Sequence, residues 1–459
     1  MTILTAIHDG FFVRNFLRTD AARIIIEQPG DRLVVLVPKE KVEYYALEFP
    51  ESSITFDVLP ELQRPVVETF FQFIERASIH SRTARMQRTY LFQSNFSFSW
   101  NGIRTLLLYP VEVMCGCLGQ FSWWRRMIRW SYARFSDHTF DSLLDRYNPD
   151  VVYCSNVIHS EDHILAKVAR RRGVRVVGMI LSWDNLYSKT IIRVHPDTLL
   201  VHTPEILELA ATYGDFPRNR VCITGIPQYD RYFSGRVTMS REEFLNSIGA
   251  DPSKKTILYA FSGKAALDIE FDILRILHES LEAHALSESV NVLIRPYPRY
   301  DFSEKRMERM RSAYRFFVVS AVGHVADTVH NWEFTDEAVN FLHHSLIYAD
   351  VVVTMYSTFF IEAAILDKPI VGVAFDGALR RPYWNSARRF FDWNHLAKIR
   401  TLNGIAIVHS ADEMVTALND ALQVPAMLRE GRARIVQEQC YMTDGKSAER
   451  VARAIIHTL

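Results

Sequence analysis

Cysteine is scarce in this 459-residue chain, five in all and an odd number, which argues against a disulfide framework and fits a reducing compartment. An excess of one charge is also missing. With 53 basic residues against 53 acidic ones, a nucleic-acid partner held by bulk charge is excluded. No window reaches the roughly 20 apolar residues that a bilayer span requires. The longest candidate, 103–119, is broken by Pro110 and Glu112. The opening MTILTAIHDG has neither the basic segment nor the long apolar run of a secretory signal. No Asp-x-Asp pair follows a strand, so the sequence calls for no divalent metal. These absences lead to the expectation of a cytoplasmic protein that needs no metal and no cofactor. What is abundant is apolar mass: 48% of the residues suffice for large cores in two or three domains.

Residues 2–60 alternate strand and helix, with strands expected at 2–7, 32–37 and 54–59 and a helix from about 14 to 27. Such alternation implies a parallel sheet. Residues 61–147 change to long helical stretches rich in aromatics and arginine, an insert with no strand signal. The rhythm then resumes, with strands expected at 151–155, 175–181, 198–202 and 221–224. The stretch 225–232, GIPQYDRY, reads as a linker, since Gly and Pro break the pattern. A second α/β unit follows, with strands at 256–261, 291–295, 316–320, 351–354, 370–374 and 405–408. The last helix arrives after every strand of that unit is accounted for and is able to cross back. The expected domains are therefore 1–230 with its insert 61–147, then 231–445, then a crossing helix in 446–459. Two doubly wound sheets facing a central cleft would bind ligands at the carboxyl ends of their strands.

Residues 346–376, LIYADVVVTMYSTFFIEAAILDKPIVGVAFD, read as strand, polar turn, helix, turn, strand. Ser357 and Thr358 fall where the chain enters the helix. Backbone N–H groups at a helix start beside two hydroxyls suit a phosphate, although either residue reads equally well as a cap. Glu362, one turn in, is placed to hold the two hydroxyls of a ribose, clear of the core. Ser262, Gly263 and Lys264 follow another strand, where a glycine lets backbone approach an oxyanion and lysine adds charge. Arg295 and Arg299 flank Pro–Tyr–Pro after a third, which suits a diphosphate or a local pair with Asp301. Arg380, Arg381, Arg388 and Arg389 make a basic loop, long enough to cover the site, with Tyr383, Trp384 and His395 nearby. Strand ends of the first half offer general bases instead. Asp184 in SWDN leads, with His159 and Asp9 behind it. His8 and Glu161 also follow strands, and Asp162 reads as a cap.

Three runs, VHTPEILELAATYGDFPRNRVCITGIPQYD, ADVVVTMYSTFFIEAAILDKP and DGKSAERV, together resemble the GT-B glycosyltransferases. Within them the likeness is to surface-polysaccharide transferases and to the glycerophosphotransferases of teichoic-acid synthesis. It covers most of the chain outside the insert. It implies a GT-B fold, a nucleotide-activated donor in the second domain and a saccharide or lipid-linked acceptor in the first. Ser357 and Thr358 would then meet the diphosphate, Glu362 the ribose, and the loop 8–15 would line the acceptor side. One departure stands out. Where those phosphotransferases carry a histidine in a proline-bounded turn, this chain has Tyr297 in RPYPR, which favours transfer of a sugar from a nucleotide sugar over transfer of a polyol phosphate. A nucleotide-sugar epimerase and a binding protein are the remaining alternatives.

The insert contains FSWWRRMIRWSYARF at 121–135, tryptophans among arginines. That mixture settles at a bilayer interface, so peripheral membrane contact is expected there unless the segment is an ordinary core helix.

Overall fold

The computed structural model describes residues 1–8, 10–94, 100–235, 237–263, 266–297, 312, 314, 317–319 and 333–457. They form two compact units. Met1–Asp230 with Tyr441–Leu459 is one, and Arg231–Cys440 is the other. The chain thus returns to the first unit at Tyr441, slightly before the 446 expected.

The first unit holds seven parallel strands: β1 (Thr2–Ala6), β2 (Arg32–Val37), β3 (Ile54–Val58), β4 (Val151–Cys154), β5 (Arg175–Met179), β6 (Thr198–Val201) and β7 (Val221–Ile223). Their order is β3-β2-β1-β4-β5-β6-β7. Strands covered on both faces must be apolar throughout, and β1, β2 and β4 are buried almost from end to end. One face packs on the helix Ser160–Arg171 and its neighbours. The other packs on the helices Asp20–Ile26 and Ser447–Ile456. Asp230 accepts the backbone N–H groups of Ser447 and Ala448, at 3.1 and 2.7 Å, and so seats the start of that last helix. The long helix expected over 14–27 is two pieces, a π-turn at Val13–Leu17 and then Asp20–Ile26. Thr19 restarts it by accepting the Ala21 N–H.

The insert is helical as expected: Pro65–Ala77, Arg82–Ser94, Trp100–Leu118, Ser122–Arg134 and Asp141–Tyr147. It is bolted to the sheet by buried charge. Arg193 meets Glu68 at 3.0 Å and Glu75 at 3.5 Å, and Tyr132 donates to Glu68 at 2.7 Å. Buried charges persist only when paired this way. Asp215, in the left-handed position after the helix Pro204–Gly214, receives both Arg125 and Arg129. Burial pushes the Asp215 carboxyl up, but the two guanidiniums outweigh it and hold it below its ordinary range.

The second unit has six parallel strands: β8 (Lys255–Ala260), β9 (Val290–Arg295), β10 (Phe317–Val319), β11 (Val351–Thr354), β12 (Ile370–Val373) and β13 (Ala406–Val408), in the order β10-β9-β8-β11-β12-β13. Both sheets therefore reverse direction next to their first strand, at β1/β4 and at β8/β11, and α/β proteins bind ligands outside the carboxyl ends of strands at such reversals.

Candidate functional site

In the second unit the reversal lays the turn after β8 against the turn after β11. Ser262 is the tie between them. Its Oγ accepts the N–H groups of Met355 and Tyr356, both at 3.0 Å, and shares a hydrogen bond with Thr354 Oγ1 at 3.0 Å. Its own N–H donates to Glu270 at 2.7 Å. A hydroxyl so engaged acts as a brace, a role that replaces its expected contact with a phosphate. At Gly263 a Cβ would lie 2.8 Å from the Tyr356 hydroxyl, so the side chain is absent for space. Tyr356 in turn stacks on Phe390, ring centroids 3.8 Å apart. Arg295, at the end of β9, sets its guanidinium 4.7 Å from the centre of the Phe359 ring, beside the same turn. The chain thus brings Ser262, Gly263, Arg295, Ser357 and Thr358 to one edge of one sheet. Lys264 and Arg299 lie outside the described residues, as does Asp9.

The turn after β11 is more self-contained than its sequence suggests. Ser357 Oγ accepts the Phe359 N–H at 3.2 Å, and Thr358 Oγ1 reaches Glu362 at 3.4 Å instead of capping the helix Phe359–Ile365. Glu362 does not stand clear of the core. It is buried, and its Oε2 accepts the Tyr232 hydroxyl at 2.6 Å. The Tyr232 ring lies 5.2 Å from that of His343, which burial, then the nearby Arg231 and His344, lower to about 4. That imidazole is neutral at physiological pH. Beneath the turn after β8, burial pushes the Glu270 carboxyl up to about 8, against the pull of the Ser262 N–H.

The basic loop after β12 folds on itself. Buried Asp376 accepts the N–H groups of Arg381 and Ala387, at 3.0 and 2.7 Å. Arg388 bonds Ser386 and the Arg381 carbonyl, and Arg389 is buried on the Ser386 carbonyl. Both guanidiniums hold the loop together, Arg389 buried and Arg388 half-buried. A cavity of about 350 Å³, with Tyr383, Arg388, Arg400 and His409 in its wall, lies by the ends of β12 and β13, away from the reversal.

In the first unit the reversal gathers acid–base groups. His8 follows β1, and its Nε2 lies 3.3 Å from Asp162 Oδ1. His159 follows β4 and stacks on His8, centroids 4.8 Å apart and planes 16° from parallel. Asp162 is not the cap its sequence suggests, because the helix starts earlier, at Ser160. Its buried carboxylate faces His8 on one side and accepts the Asn156 N–H at 3.0 Å on the other. Asn185, next to Asp184 beyond β5, donates to Asn156 at 3.2 Å. One polar chain thus runs across the ends of β1, β4 and β5. Asp184 sits at its margin, receiving Ser182 Oγ at 2.7 Å and Lys189 Nζ at 3.0 Å. Position after a strand marked His8, His159, Asp162 and Asp184 in the sequence. The pairing of His8 with Asp162 had no local signal, because 154 residues separate them. Among the described residues no three His, Cys, Asp or Glu side chains are grouped to hold a metal ion.

Residues 193–457 match the family described as CDP-glycerol:poly(glycerophosphate) glycerophosphotransferase. No curated protein matches the chain. Among solved structures, S. aureus MnaA with UDP is similar at a TM-score of 0.56 and 10% identity, over 99% of this chain and 95% of that one. The UDP-GlcNAc 2-epimerase of Neisseria meningitidis bound to UDP-GlcNAc gives 0.53 and 12%, over 99% and 100%. A glycosyltransferase of Rickettsia africae gives 0.52 and 8%, over 100% and 99%. At such identities these likenesses speak for the fold, which is GT-B with two Rossmann-like units.

Proposed function

From the premise that the chain belongs to the CDP-glycerol:poly(glycerophosphate) glycerophosphotransferase family and is a transferase of GT-B fold, we propose that it moves a polyol phosphate from a cytidine-diphosphate-linked donor to a hydroxyl of a cell-surface polymer or its lipid-linked precursor. The observation that carries this is the family match, which spans β6 to the C-terminal helix and includes the whole reversal of the second unit. In the reaction an acceptor oxygen attacks the phosphorus that bears the polyol. The bond from that phosphorus to the bridging oxygen breaks, and cytidine monophosphate leaves.

Support for a donor in the second unit comes from the turns after β8 and β11, pinned together by Ser262 before any ligand arrives. Prearranged groups cost no reorganisation as charge develops. Arg295, Ser357 and Thr358 are the donor contacts in this reading, with Glu362 on the ribose. The acceptor proton needs a base, and in the first unit His8 is the favoured group. The Asp162 carboxylate orients its imidazole and stabilises the cation formed on proton uptake, whereas Asp184 is already paired with Lys189. His159, stacked on His8, helps fix the ring.

A second reading, sugar transfer from a nucleotide sugar, is favoured by Tyr297 in the RPYPR turn. Thermal melts separate the two. A cytidine donor at about 100 times its dissociation constant adds about 2.7 kcal/mol of apparent stability. CDP-glycerol should raise the midpoint, and turnover with a glycerophosphate acceptor should release cytidine monophosphate and form a phosphodiester visible by phosphorus NMR. Stabilisation by UDP-GlcNAc alone, with release of UDP on turnover, overturns the phosphotransfer reading in favour of sugar transfer.

A further inference from the structure

Two buried polar groups lie beneath the turn after β8 with bonding capacity unused. Glu270, in the first turn of the helix Leu267–Glu282, reaches back to accept the Ser262 N–H at 2.7 Å. It is fully buried, and its Oε2 has no partner among the described residues. The hydroxyl of Tyr259, equally buried near the end of β8, has none either. A carboxyl buried with one oxygen unbonded costs stability, and groups of this kind gather where a fold serves a site.

What Glu270 holds is the edge of the sheet where the turns after β8 and β11 meet. Ser262 has no bonding capacity left. Its Oγ accepts the N–H groups of Met355 and Tyr356, and because the Thr354 hydroxyl donates to the Ala260 carbonyl at 2.8 Å, the proton between the two hydroxyls is that of Ser262. One hydrogen bond joins Glu270 to Ser262, and a second joins Ser262 to Tyr356, the residue before Ser357 and Thr358. The acid therefore bears on both turns although it belongs to neither.

The surroundings favour its neutral form. Burial dominates, no cation among the described residues opposes it, and only hydrogen bonding from Ser262 pulls the other way. Its titratable neighbour is Tyr259, a phenol that burial, then the carboxyl itself, push far above its ordinary value, so that it too stays neutral. An acid at the start of a helix ordinarily ionises. Here a carboxylate would set a like charge, in dry surroundings, under a turn that receives a diphosphate.

We propose that Glu270 is a positioning residue of the donor site: as a neutral acid it holds the turn after β8 on the turn after β11, and a nucleotide diphosphate binds those turns only while the acid keeps its proton. This rests on the reading of the two turns as the donor site. Donor and proton then bind cooperatively, each raising the affinity for the other.

The test is calorimetric titration of the full chain with CDP-glycerol, whose charge does not change between pH 7 and 9. At pH 7 wild type and E270Q should bind alike, because the amide is neutral and still accepts from Ser262. E270L leaves that N–H unmet and should bind about tenfold more weakly, with the KM for acceptor unchanged. At pH 9 the wild type should lose about tenfold in affinity, since burial raises the Glu270 carboxyl to about 8, while E270Q keeps its pH 7 affinity and overtakes it. Near pH 8 donor binding should draw protons from the buffer in wild type and not in E270Q. Equal losses at pH 9 in wild type and E270Q, or wild-type affinity in E270L, overturn the proposal, and the first comparison decides even where E270L does not fold. A wild type that binds no CDP-glycerol at either pH overturns the donor reading, and this proposal with it.

Discussion

Glu270 sits under the turn after β8, fully buried, with the Ser262 N–H on one oxygen at 2.7 Å and no partner for the other among the described residues. Burial raises its carboxyl from an ordinary 4.5 to about 8. The folded chain therefore carries this proton between those two pH values while the unfolded chain does not. Stability from this group is fully present below about 4.5 and is lost as pH rises to about 8. At about 1.4 kcal/mol per tenfold step in proton affinity, the loss is on the order of 5 kcal/mol, less whatever relaxation or water entry recovers. Glu270→Gln keeps an acceptor for the Ser262 N–H and removes the titration. Urea unfolding of both proteins at several pH values between 5 and 9 measures the effect. The unfolding free energy difference in favour of the variant should be smallest at pH 5 and widen by several kcal/mol by pH 9. Parallel pH profiles would refute the reasoning and show that Glu270 ionises in the folded state at no cost.

Glu362→Gln should keep the fold, since an amide oxygen still accepts from Tyr232, but lose donor-induced stabilisation. Glu362→Ala strands the buried Tyr232 hydroxyl and should cost about 1–3 kcal/mol in the unliganded melt. Asp162→Asn should cut turnover by roughly 100-fold or more at unchanged donor affinity, with the acidic limb of the pH–rate profile altered. Asp184→Asn, which breaks a half-buried pair with Lys189, should cost about 1 kcal/mol and leave turnover near wild type. A collapse of turnover there with Asp162→Asn unaffected would move the base from His8 to Asp184. Gly119→Ala should destabilise the first unit by about 3 kcal/mol or more, because its Cβ would lie 1.6 Å from the Ser78 carbonyl oxygen. A melting midpoint equal to wild type would show that the insert can shift to admit it.

Much of the fold was legible in the chain because strands buried on both faces must be apolar and helices between them must repeat their apolar face. Those two periods located the thirteen strands seen among the described residues, the helical insert and the helix after the last strand. The Gly225 break was legible too, its φ of +81° being a conformation glycine tolerates. Local pattern failed where a side chain competed for nearby backbone or a contact was made at long range. The helix expected over 14–27 breaks because the Thr19 hydroxyl competes for backbone, a choice its apolar period does not record. At the sites, position after a strand marked Ser262, Ser357, Glu362, His8, His159 and Asp184 as candidates without saying which groups face one another. Packing alone made Ser262 a brace, matched Tyr232 to Glu362 across 130 residues and His8 to Asp162 across 154, and turned Arg125 and Arg129 of the insert inward onto Asp215 while leaving Arg126 between them exposed. Residue type and spacing along the chain determine what a side chain is able to do. Which partner it meets is settled by strand order, since that order, not sequence distance, sets which strand ends lie side by side.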